Sequence, residues 1–258
     1  MKTQLVYLVA LLYLVACENE SGTDPSLERA NRVHGVTMSP NRDIISIDSS
    51  KQEKSVPPPA LYYTQTELDS IFRLHDTTWV DMSRVSSNFI MDIRYATSHN
   101  FMGLQIYDCP GCYLRKPIAK IFLKMSEELR AKHQLRFKMF DCYRPSRAQW
   151  ILWKDTPNPT YVADPRKGST HSRGATADLT LVDSLGKDLD MGTPFDFFGK
   201  KAHTYYEKLP KEVLANRKIL IGMMKKYGFK PANSEWWHYT YIKRSFKLSS
   251  WEWPCDDD

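Results

Sequence analysis

Apolar residues recur with the spacing of amphipathic helices in three parts of the chain. Pro117 precedes a stripe that repeats every three to four positions, and proline favours the first turn of a helix. A second helix is predicted to begin at Pro145, and a third to run from Lys211 to Tyr227 and stop at Gly228. The first stripe consists of Ile118, Ile121, Phe122, Met125 and Leu129.

Alternating apolar and polar positions predict strands in three other segments. These run from Leu135 to Asp141, from Ala175 to Leu181 and from Glu235 to Ile242. Helices and strands are mixed, but the regular spacing of β-α-β units is absent. We therefore predict a single α+β domain with a mostly antiparallel central sheet flanked by helices.

The first sixteen residues have the features of an export signal. Lys2 precedes twelve uncharged residues, Leu5 to Ala16, whereas a helix needs about 20 residues to cross a bilayer. The run ends in Leu14-Val15-Ala16-Cys17, which looks like a bacterial lipobox whose cysteine carries the lipid. The alternative is an ordinary secretory signal followed by an incidental cysteine.

The segment after this signal is polar, lacks periodicity and includes a run of three prolines, Pro57 to Pro59. We predict a signal peptide at residues 1–16, a lipidated N-terminus and flexible tether at 17–60, and a catalytic domain at 61–258. Glu18 is not the aspartate associated with inner-membrane retention, which favours the periplasmic side of the outer membrane. The cell surface is the alternative location.

Composition and charge add little to this picture. The chain has 36 Lys and Arg against 30 Asp and Glu, a formal net charge of +6. No dense basic run is interleaved with aromatic residues, so no nucleic-acid partner is predicted. No protein partner is predicted either.

Four cysteines follow Cys17, and export would place them in an oxidising compartment. Three pairings are open, and the sequence does not choose among them. The Cys-Pro-Gly-Cys spacing lacks the context of a redox or zinc motif, so a structural role is predicted for all four. They are Cys109, Cys112, Cys142 and Cys255.

Two short segments carry candidate metal ligands. His171 precedes a glycine turn, and Asp178 lies on the strand that follows it. Glu235 and His238 flank two tryptophans, and both can serve one site only if Glu235 lies at the start of the strand or on a bulge. Two imidazoles and a carboxylate suit a catalytic zinc, and a nearby carboxylate that is not a ligand suits a general base.

A third feature lies where a predicted strand meets a predicted helix, from Asp141 to Arg147. Arg144 in this segment could bind a carboxylate or a developing oxyanion. The alternative is a surface ion pair between Arg144 and Asp141.

Together these features resemble the zinc D-alanyl-D-alanine dipeptidases, within the wider family of zinc D,D-peptidases. The similarity covers about residues 89 to 241. It comprises six blocks in order: Asp92-Ile93-Arg94-Tyr95-Ala96-Thr97, Asn100-Phe101-Met102-Gly103, Asp141 to Pro145, Ser169 to Leu181, Asp190 to Phe197, and Glu235 to Tyr239. The resemblance implies the zinc D,D-peptidase fold, which is hedgehog-like.

The resemblance also implies roles for individual residues. It implies one Zn²⁺ per chain, and Glu235 as the catalytic acid and base beside a transition-state arginine at Arg144. The other implied roles are zinc ligation by His171, Asp178 and His238, and lining of the dipeptide pocket by Tyr95, Ser169 and Asp196. Cys109, Cys112 and Cys142 depart from the family pattern, and a bridge at Cys142 would affect the arginine loop.

The expected activity is hydrolysis of a small D,D-dipeptide by metal-activated water, with Glu235 as base. A zinc D,D- or L,D-carboxypeptidase that trims peptidoglycan stem peptides is the nearest alternative. A serine enzyme would need Ser184 and Lys187 as an S-x-x-K motif, but K-T-G is absent and the segment is predicted to be a turn. A non-catalytic peptidoglycan-binding lipoprotein is the third possibility.

Overall fold

The computed structural model describes residues 62–255, which form an α+β structure. The predicted signal peptide, Cys17 and nearly all of the predicted tether lie outside these residues. The helices are α1 (Gln65–Ile71), α2 (Lys116–His133), α3 (Ser146–Asp155) and α4 (Lys211–Lys226). The strands are β1 (Trp79–Asp81), β2 (Phe89–Met91), β3 (Tyr113–Arg115), β4 (Arg136–Asp141), β5 (Thr176–Val182), β6 (Phe229–Pro231) and β7 (His238–Tyr241).

Five strands form the main sheet in the order β2-β4-β5-β7-β6, and β1 pairs with β3 separately. The β2–β4 pair is parallel and the other pairs in the main sheet are antiparallel, so the sheet is mixed. The chain between β2 and β4 includes α2, the kind of crossover that a parallel pair requires. The prediction of antiparallel pairing is thus correct for the centre of the sheet, but it did not include the parallel edge strand β2.

The starts of the three predicted helices agree with the structure to within one residue. The helix predicted from Pro117 begins at Lys116, and the last predicted helix ends just before Gly228, where φ is +92°. The third predicted strand is shorter than expected, because only His238–Tyr241 is extended and paired, and Glu235 lies in the turn before it. Strands β1, β2, β3 and β6 have three residues each, too few to produce a recognisable alternation.

Strand β5 is the centre of the core, and all seven of its residues are buried. Helix α2 covers the sheet through Phe122, whose ring contacts Phe137 of β4 and Phe229 of β6 at centroid distances of 6.0 and 5.1 Å. Burial of such rings is a main source of stability in a core of this size. Within the described residues, no helix has the length and apolar character to cross a membrane.

Two disulfides join the four cysteines of the described chain. Cys112 pairs with Cys142, and Cys109 pairs with Cys255. Each half of the Cys-x-x-Cys segment therefore bonds to a distant cysteine, which confirms the structural role that the sequence predicts.

Candidate metal centre and substrate cavity

Strand register brings the candidate ligands together. Asp178 of β5 lies directly opposite His238 of β7 and, on its other side, opposite Asp141 at the end of β4. His171 lies in a short 3-10 turn before β5, and Gly174 ends this turn with φ of +72°. A positive φ favours glycine, so the glycine turn allows the chain to bring His171 back beside Asp178.

The three candidate ligand atoms form a nearly equilateral triangle. His171 Nε2 lies 3.4 Å from Asp178 Oδ1 and 3.3 Å from His238 Nδ1, and His238 Nδ1 lies 3.0 Å from Asp178 Oδ1. Ligands about 2.0–2.1 Å from a tetrahedral zinc are separated by roughly 3.3 Å. The arrangement therefore fits a small cation with these three residues as ligands.

Hydrogen bonding leaves the ligand atoms available for a cation. Nδ1 of His171 lies 2.7 Å from the carbonyl oxygen of Cys142, so Nδ1 carries the proton and Nε2 presents its lone pair. Asp178 Oδ1 is buried and accepts no hydrogen bond from the described residues. Burial acts to raise the pKa of Asp178, but the two imidazoles outweigh it and hold the pKa well below its usual range. Two imidazole nitrogens and a carboxylate oxygen that converge in this way fit a metal ion, which requires neutral imidazoles and an ionised carboxylate.

Glu235 lies beside this triangle without belonging to it. Its Oε2 is 3.6 Å from His238 Nδ1. The turn that carries it is held by Thr204, whose hydroxyl donates to the Glu235 carbonyl at 3.0 Å, and by the Trp236 N–H, which donates to Ala202. Burial raises the pKa of Glu235 to about 8, with further contributions from nearby carboxylates. A carboxyl group with such a pKa can both take and return a proton near neutral pH.

Arg144 is buried beside the candidate ligands rather than at the surface. Its Nε and Nη2 donate to Asp141 Oδ2 at 2.9 and 2.7 Å, and its Nη1 donates to Gln149 at 3.0 Å. The ion pair with Asp141 that the sequence suggested as an alternative thus exists, but it is buried. Because these bonds use three of the five N–H donors of Arg144, two remain for a ligand in the cavity that it lines.

The three predicted substrate residues also line this cavity. Tyr95 donates to Asp196 Oδ1 at 3.4 Å, and Asp196 Oδ2 is buried with no hydrogen-bond partner among residues 62–255. Burial and the charge of Asp178 raise the pKa of Asp196 well above its usual range, against the lowering effect of Arg144. The Ser169 hydroxyl accepts the His171 N–H at 3.2 Å. These contacts leave Asp196 with an unsatisfied oxygen that fits a cationic ligand group.

The cavity that contains these groups is small, about 220 Å³. Aromatic residues form part of its wall, with Phe198 packed between Tyr161 and Phe101 at centroid distances of 4.6 and 5.0 Å. All the predicted catalytic, metal-binding and substrate residues of the folded domain line it. The arrangement therefore combines a candidate cation site, a candidate proton-transfer group and fixed charges around one cavity.

Comparison with known proteins agrees with this geometry. Residues 75–254 match the model of peptidase family M15, described as D-ala-D-ala dipeptidase. The chain belongs to this family. The D-alanyl-D-alanine dipeptidase of Escherichia coli K12 is 37% identical over 184 residues, which cover 70% of this chain and 95% of that protein. The enzyme of the same name from Enterococcus faecium is 30% identical over 187 residues, which cover 63% of this chain and 91% of that protein.

A third M15 relative, the D-alanyl-D-alanine dipeptidase of Streptomyces coelicolor, is 30% identical over 206 residues, 69% of this chain and 98% of that protein. Membership of the family makes the chain a peptidase. The S-x-x-K segment follows β5 as a turn, in which the Asp183 side chain accepts the N–H groups of Leu185 and Lys187. It does not line the cavity, so nothing in the described structure supports a serine peptidase.

Sequence reasoning missed several residues that this M15 peptidase uses to build its site. Gln149 binds Arg144, and Tyr107 donates to the other oxygen of Asp141 at 2.7 Å. Tyr161 and Phe198 wall the cavity from separate loops. Phe101 also lines the cavity, and it lies in one of the six blocks of family resemblance. The other four residues lie outside these blocks, and no sequence pattern indicates their roles.

Proposed function

We propose that this protein is a zinc-dependent dipeptidase that hydrolyses D-alanyl-D-alanine and similar small D,D-dipeptides. The observation that carries the proposal is the triangle of ligand atoms, with sides of 3.0 to 3.4 Å, in the wall of a small cavity. Two relatives that match this chain along 95% and 91% of their own length bear the name D-alanyl-D-alanine dipeptidase.

His171, Asp178 and His238 would hold the metal, since their ligand atoms converge and Asp178 Oδ1 accepts no hydrogen bond from the described residues. Zinc bound there would lower the pKa of water and polarise the scissile carbonyl. The carbonyl oxygen of Cys142 keeps His171 in the tautomer that a ligand requires.

Glu235 acts as the proton carrier in this proposal. Its carboxylate takes a proton from the attacking water and then passes it to the nitrogen of the leaving amine. Its Oε2 lies 3.6 Å from Nδ1 of His238, so the carboxylate would be close to a water bound at this site. Glu235 and the following Trp236 and Trp237 are all buried, which limits the access of bulk water to this transfer.

Arg144 stabilises the negative charge that develops on the carbonyl oxygen during attack. Its guanidinium is fixed by Asp141 and Gln149, so it is held in place before the reaction begins. Such preorganised charge in a buried site is worth far more than the same charge in water.

Asp196 and Tyr95 bind the amino end of the dipeptide. The unsatisfied Oδ2 of Asp196 would accept from the substrate ammonium, and that positive charge would offset the cost of burying the carboxylate. Ser169, beside His171, lines the same cavity and offers a hydroxyl to the substrate.

Hydrolysis of a small panel of dipeptides tests this function. We expect the purified protein to cleave D-Ala-D-Ala, to leave L-Ala-L-Ala intact, and to lose activity in a chelator and regain it with Zn²⁺. A pentapeptide stem ending in D-Ala-D-Ala is the comparison substrate. Preferential cleavage of that stem would instead indicate a carboxypeptidase, and activity that resists the chelator would contradict the metal mechanism.

We further propose that the enzyme is an exported lipoprotein attached through Cys17, with the outer membrane as its site. The uncharged run before Cys17 supports this. Incorporation of labelled fatty acid that is lost in Cys17→Ser would be the expected result, and equal labelling of both proteins would contradict it.

A further inference from the structure

A buried disulfide lies directly behind the candidate metal centre. Cys142 follows β4 and Cys112 precedes β3, and the two side chains are 0% and 1% exposed. The bridge has no role in the proposed mechanism. One of its two cysteines, Cys142, nevertheless lies between Asp141 and the loop that carries Arg144.

The backbone at Cys142 is held from both sides. Its N–H donates to Asp141 Oδ1 at 2.9 Å, and its carbonyl oxygen lies 2.7 Å from Nδ1 of His171. The next N–H, that of Tyr143, donates to the Tyr113 carbonyl beside Cys112 at 3.0 Å. The disulfide thus joins the same two segments covalently. Among the described residues, the hydrogen bond to His171 is the only one that connects Cys142 to a candidate metal ligand.

We infer that the Cys112–Cys142 bridge is a positioning element that fixes the Cys142 carbonyl and, through it, the imidazole of His171. The inference rests on the proposed function, since it assumes a metal at His171. A carbonyl that can rotate away would leave the His171 ring free to change tautomer and orientation. Loss of such an outer partner of a metal ligand typically weakens metal binding by about 10- to 100-fold.

The second disulfide supplies a matched control. Cys109 and Cys255 are half-buried and connect the C-terminal segment to a loop. The Cys109 carbonyl accepts from the indole of Trp253 rather than from any candidate ligand. Removal of this bridge also eliminates two sulfur atoms and one crosslink, but it leaves the contacts of the Cys142 carbonyl unchanged.

Metal affinity measured on folded protein tests the inference. We would compare the wild type with Cys112→Ala/Cys142→Ala and Cys109→Ala/Cys255→Ala by competition for Zn²⁺ against a chromophoric chelator. Circular dichroism and thermal unfolding of the metal-free proteins would report the fold. A further variant, Cys112→Val/Cys142→Ala, restores buried volume where the first double variant leaves a cavity.

We expect zinc affinity to fall about 10- to 100-fold in the folded Cys112/Cys142 variants and to stay within a few-fold of wild type in the control. Equal losses in both pairs, or none in the first, would overturn the inference. Failure of both Cys112/Cys142 variants to fold even in excess zinc would reduce the bridge to a structural role and also overturn it. Absence of zinc binding in the wild type would instead reject the proposed function.

Discussion

The Asp141 carboxylate binds Arg144 through a single oxygen, Oδ2, which accepts from Nε at 2.9 Å and from Nη2 at 2.7 Å. The same oxygen lies 3.5 Å from Nδ1 of His171, and the other oxygen accepts from Tyr107 and from the Cys142 N–H. One buried carboxylate thus connects the proposed oxyanion-binding arginine with the proposed metal ligand.

Asp141→Asn should therefore lower kcat/KM by about 10- to 100-fold, because it removes the charge that holds the Arg144 guanidinium in place. Steady-state kinetics on D-Ala-D-Ala would measure the loss. Tyr107→Phe is the control, since it removes one neutral donor to Asp141 and leaves the ion pair intact, and we expect a smaller effect. Wild-type kcat/KM in Asp141→Asn, with the fold retained, would show that Arg144 needs no such anchor.

Glu235→Gln should keep its zinc and lose turnover. Glu235 is outside the triangle of ligand atoms, and loss of a general base typically costs about 10²- to 10⁴-fold in rate. His238→Ala removes one corner of the triangle and should lose both metal and activity. Metal analysis and kinetics on the two purified variants distinguish these roles. Normal turnover in Glu235→Gln would show that Glu235 is not the general base.

Stability of the metal-free protein should depend on pH through Glu235. Burial raises its pKa from 4.5 to about 8, so the folded state binds more protons than the unfolded state between these values. The free energy of unfolding should then decrease as pH rises across this window. In Glu235→Gln the free energy of unfolding should decrease less over the same window. Denaturant titrations in chelator at several pH values would measure the difference, and parallel curves for the two proteins would contradict the burial effect.

Asp196→Asn should weaken recognition of the substrate amine. The buried Oδ2 has no partner among residues 62–255, and hydrogen bonds to charged groups are worth enough for a rise in KM of about 10- to 100-fold. The wild type should strongly prefer D-Ala-D-Ala over its N-acetyl derivative, whereas Asp196→Asn should lose most of this preference. An unchanged ratio of kcat/KM for the two substrates would place the amine elsewhere.

Much of this site was predictable because its chemistry lies in short motifs. His171 and Asp178 lie seven residues apart across a glycine turn, and Glu235 lies three residues before the strand that begins at His238. The alignment of Asp178 opposite His238 depends on pairing between strands about 60 residues apart, which no local pattern encodes.

Contacts made by the backbone were beyond sequence reasoning for a different reason. Every residue has a carbonyl, so nothing in the letters around Cys142 indicates that its oxygen holds His171. The parallel strand Phe89–Met91 is too short to alternate, and its pairing with β4 depends on the long connection through α2. The sheet was therefore expected to be more uniformly antiparallel than it is.

Gly174→Ala should be strongly destabilising. Gly174 has φ of +72°, which costs an L-residue roughly 1–2 kcal/mol, and an added Cβ would overlap the ring of Trp79. Trp79 is itself stacked on Trp251 at a centroid distance of 5.1 Å, so it cannot move without disturbing the C-terminal segment. We expect a loss of about 2 kcal/mol or more in the free energy of unfolding, measured by denaturant titration.

Gly222→Ala provides the opposite case in the same chain. Gly222 is an exposed residue of α4 with no atom within 4 Å of an added Cβ, so alanine should stabilise the helix by about 0.5–1 kcal/mol. Because Gly174 ends the turn that begins at His171, Gly174→Ala should also weaken zinc binding, while Gly222→Ala should not. Similar stability and zinc affinity in the two variants would mean that the glycine turn does not hold His171 in position.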